Sequence, residues 1–148
     1  MPIQWTWRAG ALTNAEGHEL ASVRDGVLAT AAGERLALES SLDSSSPRFF
    51  LRAQTAAGED FSVTQAGITV TRLRATCADR EYLLERRNPF RRERRIVAGG
   101  TGAEVASTAP AGDGLRVSVG VGELPELDAI FLSYACALID ATPRTLRT

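Results

Sequence analysis

The run Leu127 to Ile139, LDAIFLSYACALI, is the one stretch of this 148-residue chain that is hydrophobic on every side. Between Ala129 and Ile139 the only clearly polar group besides the Tyr134 hydroxyl is Ser133, so a helix here has no wet face and must be buried all round. A membrane span needs about 20 apolar residues, whereas runs of about 10 to 14 mark core helices or interfacial segments. The run therefore predicts a core helix, at residues 125–141. Pro125 suits the first helical position, Glu126 and Asp128 put negative charge at the positive end of the helix dipole, and Pro143 stops the helix. At 1.5 Å per residue such a rod is about 24 Å long and needs a wrapping.

The wrapping must come from what precedes it. Before Pro125 no segment holds a 3.6-residue period; short β-prone runs alternate with turn residues instead. Ile3, Trp5 and Trp7 alternate with polar residues and give a first strand with an aromatic core face. Gly10 to Gly17 reads as a polar loop. Asp25-Gly26 between SVR and VLAT is the strongest hairpin signal. Leu36 and Leu38 share one face of the next strand, SSLDSSSP from Ser40 to Pro47 reads as a surface loop, and Phe49, Leu51 and Ala53 line one face of RFFLRAQT. ITVTRLRAT after Gly67, EYLLER, RRIVAGG, GAEVAST and GLRVSVGVG complete the series, with Leu115, Val117, Val119 and Val121 alternating strictly. About eleven or twelve short strands followed by one helix are best satisfied by a closed antiparallel β-barrel around the helix, because closure removes strand edges and surrounds the helix with apolar side chains. A lipocalin-like barrel, the main rival, keeps its helix outside, where this one has no polar face to show.

The expected organisation is one domain over residues 1–142 and a C-terminal tail at 143–148. Arginine supplies all 17 basic side chains against 18 acids, a formal charge of −1, so the molecule as a whole is not a polyelectrolyte partner for nucleic acid. The N-terminus carries no secretory pattern, and the expected location is cytoplasmic, peripheral to the inner membrane surface if lipid is bound. Cys77 and Cys136 do not argue for a disulfide, and Cys136 falls on the buried helix.

Several motifs bear on chemistry. His18 reads as an exposed loop residue, since no cysteine or second histidine completes a usual transition-metal set. On the helix, Ser133 is expected to bond the carbonyl four residues back. The glycine clusters at Gly99 to Gly102 and Gly112 to Gly114 read as hairpin turns, because neither opens a helix. No catalytic residue, metal or cofactor is expected, and the chain is read as a non-enzyme. The local charge anomaly is RRNPFRRERR, in which Arg86, Arg87, Arg91, Arg92, Arg94 and Arg95 surround Phe90 with Glu93 as the single acid. As a strand-loop-strand connection this set suits an anionic surface, each basic residue adding about 1 kcal/mol near a membrane. The alternatives are an acidic protein partner, or arginines merely paired with Glu81, Glu85 and neighbouring acids. Nucleic acid is not expected, for lack of interleaved aromatics.

EYLLERR at Glu81 to Arg87, GGTGAEVAST at Gly99 to Thr108, LRVSVGVG at Leu115 to Gly122 and LDAIFLSYACALIDA at Leu127 to Ala141 resemble, in order and pattern, the tubby C-terminal domain-like superfamily. That superfamily includes the LURP-one-related proteins and phospholipid scramblases. The resemblance covers essentially the whole chain and implies a twelve-stranded barrel threaded by its last helix. Tubby proteins bind phosphoinositide head groups through basic barrel residues. Scramblase activity is not implied here, since the sequence has no D-x-D-x-D-G loop.

Overall fold

A computed structural model describes residues 2–43, 46–120 and 124–141. The apolar run is a single helix, α1 (Glu126–Asp140). Pro125 stands one residue earlier than expected, as the N-cap, with extended backbone at φ −60° and ψ 146°. Ala141 ends the helix with a return to extended backbone; Pro143 and the expected tail lie outside the described residues.

Around α1 runs a closed barrel in which every strand pairs with its sequence neighbour: β1 (Ile3–Arg8), β2 (Ala11–Asn14), β3 (Glu19–Arg24), β4 (Val27–Thr30), β5 (Arg35–Ser40), β6 (Phe50–Gln54), β7 (Asp60–Gln65), β8 (Arg72–Cys77), β9 (Arg80–Arg86), β10 (Arg94–Ala98), β11 (Glu104–Ala111) and β12 (Gly114–Val119). All pairings are antiparallel, and β1 closes on β12 with Trp5 opposite Val117 and Trp7 opposite Leu115. Inward positions follow the period of two: Trp5 and Trp7, Leu51 and Ala53, Leu115 and Val117 are all buried against the helix. Phe61 of β7 meets Phe131 of α1 edge to face at 5.4 Å. Val121 lies outside the described residues.

Some local readings are corrected. Gly10 to Gly17 is not a loop, because Ala11–Asn14 forms β2 after a two-residue turn in which Ala9 and Gly10 have φ of 54° and 80°. Thr13 and Asn14 disguised the strand; Leu12, opposite Trp7, is its one fully buried residue, and the other inward position, opposite Trp5, is the polar Asn14. Of ITVTRLRAT only the part from Arg72 is strand, and residues 66–71 are a connection with Ile68 exposed. The serine-rich stretch is only partly surface. Ser40 ends β5, Ser41–Asp43 is a 3₁₀ turn, and both Ser40 and Ser41 are buried. Asp25 and Gly26 do make the hairpin turn, with φ of 52° and 75°, the left-handed pair that such a two-residue loop requires.

The β1–β12 seam depends on Gly114. A Cβ there would overlap the Trp7 carbonyl oxygen and crowd Arg8. Gly114→Ala is expected to destabilise the barrel by about 1–3 kcal/mol, the usual cost of forcing atoms into filled space, measured by urea unfolding. Unchanged stability would mean that the seam spreads at no cost.

Candidate functional site

The meander gives the barrel two unlike ends. At the end where α1 begins, the turns carry exposed acids, among them Glu16, Glu34, Glu59, Asp79 and Glu126. At the end where α1 finishes, three successive connections are long: residues 41–49, 66–71 and 87–93. This loop end holds the expected arginine cluster, but it sorts those arginines into two kinds.

Arg86 and Arg94 face inward, not outward. Arg94 is fully buried, continuing the inward series with Ile96 on β10, and its guanidinium donates from both Nε and Nη2 to the Asp140 carboxylate of α1, the latter at 3.2 Å. Arg86 of β9 donates to the same carboxylate at 2.9 Å, with its side chain 16% exposed. Both are engaged by the helix carboxylate, Arg94 with no exposed surface and Arg86 with little. Two cations around one carboxylate sit beside the helix C-terminus, whose partial negative charge offsets part of the excess.

The opposite end of α1 is held in the same way. Arg80, the first residue of β9, chelates Asp128 through Nε and Nη2 at 2.7 and 2.9 Å, and the Tyr82 hydroxyl donates to the same carboxylate at 2.6 Å. Arg80, Tyr82 and Arg86 share the inner face of β9 at even spacing. Arg80 to Arg86 spans about 20 Å at about 3.3 Å per strand residue, and Asp128 to Asp140 spans about 18 Å at 1.5 Å per helix residue. β9 and α1 therefore run parallel with matched anchor points, and this match fixes the helix in depth and direction. Midway, the Trp7 indole donates to Ser133 Oγ at 2.8 Å. The Ser133 hydroxyl itself donates to the Ile130 carbonyl, three residues back and not four, because the indole takes its other side.

The remaining arginines point outward. Arg87 pairs with Glu104 at 2.6 Å and Arg95 with Glu85 at 2.6 Å, while Arg72 approaches the other oxygen of Glu85 at 3.7 Å. Glu85 thus acts as expected; Glu81 forms no ion pair among the described residues. Arg91 and Arg92 are exposed. Between them and β9, Asn88 accepts from the Phe90 amide at 2.8 Å and closes a turn that leaves the Phe90 ring 92% exposed.

Two apolar loop-end contributors, and one basic, lay outside the expected set. Ile68, on the connection 66–71, is 92% exposed, and Leu42, on 41–49, is 63% exposed. Arg48 joins those two connections by donating to the carbonyls of Gln65 and Gly67 at 3.2 and 2.9 Å. The Arg86 amide and the Arg94 guanidinium reach the Thr71 carbonyl, joining the second connection to the third. Of the large apolar side chains exposed among the described residues, only Ile3 lies away from this end. One apolar tip per loop, with Arg48, Arg91 and Arg92 beside them, makes a surface that can bury greasy tips while its guanidinium groups pair with anions.

Reactive chemistry is not favoured by the cysteines. Burial pushes the Cys136 thiol up to about 12 and the Cys77 thiol well above its ordinary range, so neither supplies a thiolate nucleophile near neutral pH. Burial and the bond to Asp128 likewise hold the Tyr82 phenol in its protonated form. His18 is exposed, its amide bonded to Asn14 Oδ1. Among the described residues no group of three potential ligands could hold a metal ion, and no helix is long and apolar enough to cross a membrane.

No family model matches the chain, and no curated protein matches it. It is similar in structure to an X-ray structure of a protein from Arabidopsis thaliana, at a TM-score of 0.59 and 17% identity, over 93% of this chain and 89% of the other. A likeness at that identity speaks for the fold alone.

Proposed function

We propose that this chain is a non-catalytic binding module that seats the loop end of its barrel on anionic phospholipid head groups at the cytoplasmic membrane surface. One observation carries the reading: Leu42, Ile68 and Phe90 project from three successive loops at the end that also bears Arg48, Arg91 and Arg92. The exposed acids Glu16, Glu34, Glu59, Asp79 and Glu126 at the other end disfavour presenting that end to a negative surface. Membership of the tubby-like superfamily is proposed on the same footing, supported by the barrel-around-helix plan and the order of the motifs.

Flotation with neutral and anionic vesicles tests the reading. The native protein is expected to float with anionic vesicles at low salt and to stay behind with neutral ones. Replacing Arg91 and Arg92 by alanine removes about 2 kcal/mol of attraction, an expected loss of about 30-fold in partition that shrinks as salt rises. Absence of flotation on any anionic composition would replace the lipid with an acidic protein partner.

A further inference from the structure

The loop end is not sealed around α1. The helix packs most closely on β11, β12 and β7, and a crevice opens between its last turns and the wall from β3 to β6. Tyr134, Ala137, Leu138 and Ala141 recur at i, i+3, i+4 and i+7, one helical stripe that the wall leaves half-buried. On one side of that stripe lies a crevice of about 260 Å³, walled by Val23, Leu38 and Leu51 and roofed by Leu42. On the other side a second one, of about 200 Å³, reaches Trp7, whose ring lies 5.2 Å from that of Tyr134. The tight hairpins Ala9-Gly10, Asp25-Gly26 and Gly112-Asp113 follow one another around this part of the rim, and the first of the long connections, 41–49, begins beside the crevice.

We infer that the 260 Å³ crevice takes a single alkyl chain of an anionic lipid, whose head group lies toward Arg48 on the adjoining connection 41–49. This rests on the membrane reading above for the source of the chain. The space is smaller than the roughly 300–1,000 Å³ of sites for compact small molecules; five of its side chains are aliphatic, and of the two that carry a hydroxyl, Ser40 and Tyr134, the first is engaged by the Leu42 amide at 3.1 Å. A thin flexible chain fits where a ring system does not. Leu42 joins the crevice to the exposed apolar tips, so a chain leaving the bilayer passes from one apolar surface to the next without crossing water.

Trp5 and Trp7 are the two tryptophans of the chain, so Trp5→Phe leaves Trp7 as the single reporter. Its fluorescence is followed while monomeric bromoundecanoate, with bromine at the chain end, is added below its aggregation threshold. Bromopropanoate, with the same head group and the same heavy atom, is the control. Saturable quenching is expected with the long chain only, and Leu138→Gln or, on the facing wall, Val23→Thr is expected to weaken it at least threefold. Linear quenching equal for both acids, or saturation unchanged in a folded variant of either residue, would overturn the inference. Vesicle flotation separates the two readings. Flotation without alkyl quenching removes the crevice and keeps the membrane, and alkyl quenching without flotation keeps the crevice and removes the membrane as its source.

Discussion

Asp140→Ala is expected to destabilise the protein by about 3–5 kcal/mol, a large share of the roughly 5–15 kcal/mol that holds a domain together. The carboxylate is fully buried and is shared by Arg94, itself fully buried, and Arg86. Its loss leaves a guanidinium charge in the core with neither water nor a counter-ion. The cost comes from the cation left behind, not from the net worth of the pair, and this has a sharp corollary. Asp140→Leu combined with Arg94→Met removes both buried charges, and Arg86, partly exposed, can turn its guanidinium to solvent. The double variant is therefore expected to recover most of the stability lost in Asp140→Ala, as measured by urea unfolding. A double variant as unstable as the single would show that the pair itself, and not the orphaned charge, holds the helix.

The second large effect concerns the membrane. Replacing Leu42, Ile68 and Phe90 together by serine is expected to lower partition into anionic vesicles on the order of a hundredfold, since each tip contributes about 1 kcal/mol when part of its surface leaves water. This loss persists in high salt. The loss from Arg91 and Arg92 does not, because screening over about 10 Å at 0.1 M salt already weakens exposed charges. Stability is expected to stay within about 0.5 kcal/mol of native in the triple-serine protein, as for surface changes generally, so lost binding would not reflect lost fold. Equal salt dependence for both variants would mean that the tips do not enter the bilayer.

The core helix was legible because its apolarity left burial as the one solution, and the barrel followed from a helix that needed cover on every side. Alternation found β1 and β12, where inward residues are large and outward ones polar. It failed at β2, where Leu12 is the one apolar inward residue and the next inward position is Asn14, and at Ile68, whose β-branched neighbours suggest a strand that the loop geometry does not extend. The arginine cluster was visible as charge, but its division was not. In a strand of period two Arg94 and Arg95 face opposite ways, and only the distant Asp140 makes the inward one tolerable. The clue was available in the helix itself, whose apolar run is bracketed by Asp128 and Asp140 on a chain with arginines six residues apart on β9. Recognising it required the pairing of β9 with α1, which no local pattern reports. Leu42 and Arg48 were missed for a similar reason, since their meaning lies in being beside Ile68 and Phe90 at one barrel end.

Depth-sensitive labelling tests most directly that this end meets the bilayer. Cys77 and Cys136 are buried, so a cysteine introduced at Phe90 or at Glu59 takes a polarity-sensitive fluorophore selectively in the folded protein. With anionic vesicles the label at position 90 is expected to shift to the blue and to be quenched by bromines in the acyl chains, while the label at position 59, at the acidic end, stays unchanged. A shift at position 59 with none at position 90, or no shift at either, would contradict the account.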